Sequence, residues 1–178
     1  MENTTAIATT VQEVAMNWGP VWAVLGAFFA AILGGIGSTL GVGMTGQAAA
    51  GLTAEKPEAF GMALVLEALP GSQAIYGLIG VFLIGNFFLA NQDVLPLIDT
   101  ATGLQIFLAS LPLAITAFLS AIYQGRVATA GINALARNAS IGGKTIVLAA
   151  LVETFAIIGL LSTFLLLDNI KKALTVVL

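Results

Sequence analysis

Four long apolar stretches separated by short polar breaks set the pattern of this chain. The first runs from Val21 to about Leu52 and ends at the charged, proline-bearing break Leu52-Thr53-Ala54-Glu55-Lys56-Pro57-Glu58. A second covers Gly61 to Gly85, and an acidic break from Asn86 to Gly103 carries Asp93, Pro96 and Asp99 without a basic residue. Leu104 to Ala136 is the third, closed by Arg137 to Lys144, and the fourth extends from about Thr145 to Leu167. Each reaches or exceeds the ~20 residues that a helix rising 1.5 Å per residue needs to cross a bilayer's hydrocarbon core. The pattern predicts an all-α membrane protein of four transmembrane helices. It divides into a polar lead-in (1–20), a first helical hairpin (21–85), an outer loop (86–103), a second hairpin (104–167) and a C-terminal tail (168–178).

Composition narrows the function classes. With 58% hydrophobic and 8% charged residues among 178, the chain has no room for a soluble domain beside four spans. The absence of Cys and His removes disulfides, thiolate and imidazole ligands and the usual nucleophile–base pairs, so no catalytic site is expected. Glu2 and Glu13, with no Lys or Arg before Pro20, do not make the positive start of a cleavable signal peptide. Lys56, Arg126, Arg137 and Lys144 lie towards the two short turns, which the positive-inside tendency places in the cytoplasm, with both termini outside; Lys171 and Lys172 run against that orientation. Nothing in this charge distribution suggests nucleic acid as a partner.

Small residues recur along the first span (Gly26, Ala30, Gly34, Gly37, Gly41, Thr45) and the third (Ala114, Ala117, Ala121, Gly125, Ala128). Such stripes let helix backbones approach closely in lipid. A shift of 82 residues aligns the two halves without a gap, with roughly 15 identities over about 49 positions from Gly37. The chain therefore reads as a duplicated hairpin whose copies share one orientation. The copies differ where it matters: Glu153 stands opposite Gly71.

Glu153 lies in the middle of the fourth span. An ionised group at that depth costs at least about 2.5–3.5 kcal/mol, so it marks a functional site. Counted from the cytoplasmic turns, Gln124, Ser72, Gln73 and Leu69 fall within about 6 Å of its level at 1.5 Å per residue. Pro70 removes one backbone hydrogen bond, so the carbonyl of Leu66 or Leu69 is a candidate ligand too. One carboxylate, two amides, a hydroxyl and a carbonyl form an all-oxygen set suited to a hard, monovalent cation. Tyr76, one turn beyond Ser72, either donates to the carboxylate or packs. Glu67 and Arg126, at similar depths, are expected to form an ion pair.

These residues carry a resemblance. Gly41-Val42-Gly43-Met44-Thr45-Gly46, Leu69-Pro70-Gly71-Ser72-Gln73, Gln124-Gly125 and Val152-Glu153-Thr154 resemble the rotor-ring proteolipids of V-type ATPases, most of all the K subunits of sodium-translocating bacterial members. The resemblance implies a homo-oligomeric ring in lipid with the first and third helices inside, turned by ATP hydrolysis elsewhere. It implies a Na+ site formed by Glu153, Gln124, Gln73, Ser72 and the Leu69 carbonyl, with Tyr76 bonded to Glu153. It further implies a stator subunit presenting an arginine and a central-stalk subunit at the cytoplasmic turns. Ser72 stands where one member of that family has threonine, which keeps the hydroxyl; Glu67 stands where that member has glutamine, which adds a charge. The alternatives are the same rotor carrying H+ and, from other classes, a stand-alone oligomeric pore, a small secondary transporter or a structural scaffold.

Overall fold

The computed structural model describes residues 17–176. Most of the polar lead-in, with Glu2 and Glu13, lies outside them. The described chain is helical and contains no strand. Helix α1 spans Gly19–Glu55 without interruption. The second span, Pro57–Leu89, is segmented into a 3-10 turn, α2 (Phe60–Ala68), a second 3-10 turn at Leu69–Gly71, α3 (Ser72–Ile84) and a π turn at Gly85–Leu89. Helix α4 covers Thr100–Arg137 and α5 covers Gly142–Thr175. All four spans are long and apolar enough to cross a membrane.

The duplication is visible in the backbone. The first turn has Lys56 in a non-helical conformation followed by a 3-10 turn at Pro57–Ala59, and Asn138 and Ala139–Ile141 repeat both features 82 residues later. Lys56 Nζ ties the two turns together by donating to the Ala136 carbonyl at 2.5 Å. The copies diverge at Pro70: without an N–H it cannot continue the α-helical ladder, and the chain tightens to 3-10 there. Its counterpart Val152 has an N–H, and α5 runs straight through.

The small-residue stripes are contact faces. A Cβ on Gly125 would lie 2.6 Å from Gly41 Cα, and one on Gly37 2.9 Å from Phe118 Cα. Glycine at these positions is what allows α1 and α4 to touch backbone to backbone. Gly34 does the same towards the second span, where a Cβ would lie 2.6 Å from the Gln73 carbonyl oxygen. Above and below this contact, larger side chains fill the bundle: Ile84, Phe88, Ile98, Ile106 and Leu167 at one end, Leu66, Ile132 and Leu135 at the other.

The helices extend beyond the limits expected from the hydropathy pattern. The connection between hairpins shrinks to about the stretch from Ala90 to Asp99, because Asn86 donates to the Phe82 carbonyl and Asp99 caps α4 by accepting from the Thr102 N–H at 2.7 Å. The stretch from 168 onward, read as a tail, is helical as far as Thr175. Its charges are satisfied on the helix surface, Asp168 with Lys172 at 2.6 Å and Lys171 over the Phe87 ring.

Candidate functional site

Three elements converge at the broken turn of the second span. Segment Leu69–Gly71 and the start of α3 supply Leu69, Ser72, Gln73 and Tyr76; α4 supplies Gln124; α5 supplies Glu153. Gln73 and Gln124 are fully buried, while Glu153 is only part-buried. The 3-10 turn at Pro70 overwinds the chain where Ser72 and Gln73 follow, and Pro70 itself packs against Gly41.

The polar groups form one connected network. The Ser72 hydroxyl lies 3.1 Å from the Leu69 carbonyl and 3.3 Å from Gln73 Oε1, both acceptors for its single proton. Gln73 Nε2 donates to Gln124 Oε1 at 2.6 Å, and Gln124 Nε2 donates to Glu153 Oε2 at 3.5 Å. The Tyr76 hydroxyl donates to Glu153 Oε1 at 2.5 Å. Both carboxylate oxygens are therefore met by neutral donors. All six residues singled out from the sequence meet here, and Leu69 rather than Leu66 offers the carbonyl to Ser72.

A seventh member had not been singled out. Ser120 accepts from Gln73 Nε2 at 3.2 Å and donates to the Val152 carbonyl at 3.0 Å, fastening the amide pair to the backbone one residue before Glu153. Its position one turn before Gln124 on the same face of α4 is a signal the sequence does carry.

The expected ion pair between Glu67 and Arg126 does not form within the chain. Arg126 is exposed, its guanidinium 5.0 Å above the Tyr123 ring. Glu67 turns to α1, its Oε1 2.9 Å from where a Cβ on Gly46 would stand, and its backbone carbonyl lies 3.4 Å from the Thr45 hydroxyl. Similar depth did not bring them together because Arg126, two residues past the inward-facing Gln124, projects from a different side of α4.

Among the described residues no three of His, Cys, Asp and Glu come together. The donor set is one carboxylate with neutral oxygens: two amides, the Ser72 hydroxyl and the Leu69 carbonyl. Such a set balances one positive charge with hard ligands and matches a dehydrated monovalent cation better than a divalent one.

Comparison with known proteins agrees with this architecture. Residues 25–84 and 107–166 each match the ATP synthase C-subunit family, one match per hairpin and offset by the same 82 residues. The chain is 47% identical to the V-type sodium ATPase subunit K of Enterococcus hirae over 156 residues, covering 88% of this chain and 96% of that protein. It is 43% identical to the A-type ATP synthase subunit K of Methanocaldococcus jannaschii over 148 residues, 83% of this chain and 62% of the relative.

Proposed function

Because this chain belongs to the ATP synthase C-subunit family, in the duplicated form of the V- and A-type K subunits, we propose that it is a rotor-ring subunit that carries Na+ through the membrane on Glu153. The family is non-catalytic, and the chain is a multi-pass membrane protein with four spans. The observation that carries the reading is the oxygen network around a single part-buried carboxylate. A proton needs only the carboxyl and one acceptor; two buried glutamines, a serine hydroxyl and a carbonyl at a broken turn are more than that. The sodium ATPase subunit named above supports the same choice of ion.

Charge gives the mechanism. With Na+ bound, Glu153 is neutralised and the site can face lipid at little cost; when the site empties, a buried anion remains, and it is held where a stator arginine can pair with it. Loading and release are thereby tied to the ring's angular position, and ATP hydrolysis in another subunit supplies the torque. When the site is loaded, the neutral donors Tyr76 and Gln124 hold the carboxylate in one orientation. The cytoplasmic turns at Glu55–Glu58 and Arg137–Lys144 face the central stalk, with both termini on the outer side.

A hydrophobic carbodiimide, which modifies only a protonated and accessible carboxyl, tests the ion. In the purified ring, Na+ and not K+ is expected to slow modification of Glu153, and Gln124→Ala or Gln73→Ala to weaken that protection. Labelling that follows pH alone, with Na+ without effect, would make H+ the coupling ion.

A further inference from the structure

The faces that the two hairpins bury against each other reappear, open, on the opposite sides of the chain. A groove of about 330 Å3 between α4 and α5 is lined by Thr116, Leu119, Ser120, Tyr123, Val152 and Phe155. Shifted back by 82 residues these become Gly34, Gly37, Ser38, Gly41, Pro70 and Gln73, all buried within the chain, where Gly37, Gly41 and Gln73 meet α4 and Gly34 and Ser38 meet the second span. The other open face, on α1, is lined by Phe28, Ile32, Ile36, Thr39 and neighbours. Shifted forward, it becomes Ser110, Ala114, Phe118 and Ala121, the ridge of α4 that packs on α1. Each hairpin thus exposes the half of the contact that its twin has used. Self-complementary faces on opposite sides of one molecule make a head-to-tail contact, which closes into a ring when the rotation permits.

In a ring whose adjacent copies dock by repeating the internal hairpin contact, α4 and α5 of one over α1 of the next, we propose that Arg126 of one copy pairs with Glu67 of the next across the seam. The proposal rests on the ring reading above and adds its residue pairing. Inside the chain a close backbone approach joins Gly41 of α1 to Gly125 of α4. The 82-residue shift turns this pair into Tyr123 of one copy and Gly43 of the next, and a Cβ on Gly43 would meet nothing within 4 Å in the isolated chain. Three residues further along these parallel helices stand Arg126 and Gly46. The carboxylate of Glu67 lies against Gly46, and no ion pair to either charge forms among the described residues of one chain. A carboxylate and a guanidinium inside membrane spans are costly unless paired, and the neighbouring copy brings each to the other.

The chain has no cysteine, so paired cysteines report the seam directly. Rings carrying Gly43→Cys with Tyr123→Cys are expected, on oxidation, to give a ladder of covalent dimers, trimers and higher forms on a denaturing gel, and either change alone none. Glu67→Arg or Arg126→Glu should each lower the temperature at which the ring dissociates in detergent, and the two together should recover most of the loss. An assembled ring, seen by native mass spectrometry, that gives no ladder overturns this docking while leaving the ring reading intact. A ladder whose charge-reversed pair dissociates no later than the worse single reversal overturns the Arg126–Glu67 contact. Failure of the unaltered chain to oligomerise at all removes the ring reading itself.

Discussion

Glu153 illustrates how much one neutral donor can matter in a dry site. The Tyr76 hydroxyl reaches one carboxylate oxygen, and Gln124 reaches the other. Hydrogen bonds to a charged group contribute about 1.5–3 kcal/mol. Tyr76→Phe is therefore expected to raise the Na+ concentration that half-protects Glu153 from carbodiimide about tenfold or more, 1.4 kcal/mol being about one decade. Ser120→Ala removes an acceptor from Gln73 and a tie to the Val152 carbonyl but touches no ligand oxygen of Glu153. Its effect on the same titration should be smaller than that of Gln124→Ala. The convergence of Ser72, Gln73, Gln124 and Glu153 was legible from shared depth, and a free carbonyl at Leu66 or Leu69 from Pro70, because polar groups in a span are few and each must find a partner. Depth says nothing of azimuth, and this is why Glu67 and Arg126, also matched in depth, face different neighbours. Ser120 escaped notice because a serine in a membrane helix can satisfy itself on its own backbone, as Ser110 does on the Phe107 carbonyl.

At the scale of the helix, contact distances separate glycines that are needed from glycines that are tolerated. Gly125→Val would drive a side chain into the backbone of Gly41, and overpacking of this kind costs about 1–3 kcal/mol. Gly61→Ala meets nothing within 4 Å in the isolated chain and should leave stability unchanged or raise it slightly, by about 0.4–1 kcal/mol. Thermal unfolding of both variants in detergent distinguishes them. The cap of α4 introduces a pH dependence. The Thr102 N–H holds the Asp99 carboxyl below the usual carboxylate range. A group whose folded pKa is depressed stabilises above its unfolded pKa and loses that contribution as pH falls through the folded value. Acidification below about pH 4 should thus loosen the N-terminal end of α4, and Asp99→Asn, which keeps an acceptor but cannot ionise, should flatten this dependence in amide exchange at Ala101 to Gly103. Helix existence was plain from hydropathy; helix ends were not. They depend on caps such as Asp99 and on surface pairs such as Asp168 with Lys172, which extend the ladder past the apolar stretch.

For the molecule as a whole, duplication explains both the bundle and its open faces. The 82-residue shift was visible in the sequence, as was the loss of symmetry at Gly71 and Glu153, since identities need no geometry to be counted. What the shift does in space required the contacts: Ser38 and Ser120, equivalent positions, both reach across to the next span's backbone, Ser38 accepting from the Ala74 N–H and Ser120 donating to the Val152 carbonyl. The unequal fate of the two hairpins has a consequence for gearing. On the proposed rotor reading, a ring of these chains presents one carrier carboxylate for every two hairpins that pass the stator, half the number it would present if Gly71 were also acidic. For a fixed chemical input per revolution, half as many ions share the work, and each can be moved against twice the electrochemical potential. Since an elementary charge crossing 100 mV requires about 2.3 kcal/mol, silencing one hairpin trades flux for the steepness of the gradient the machine can sustain.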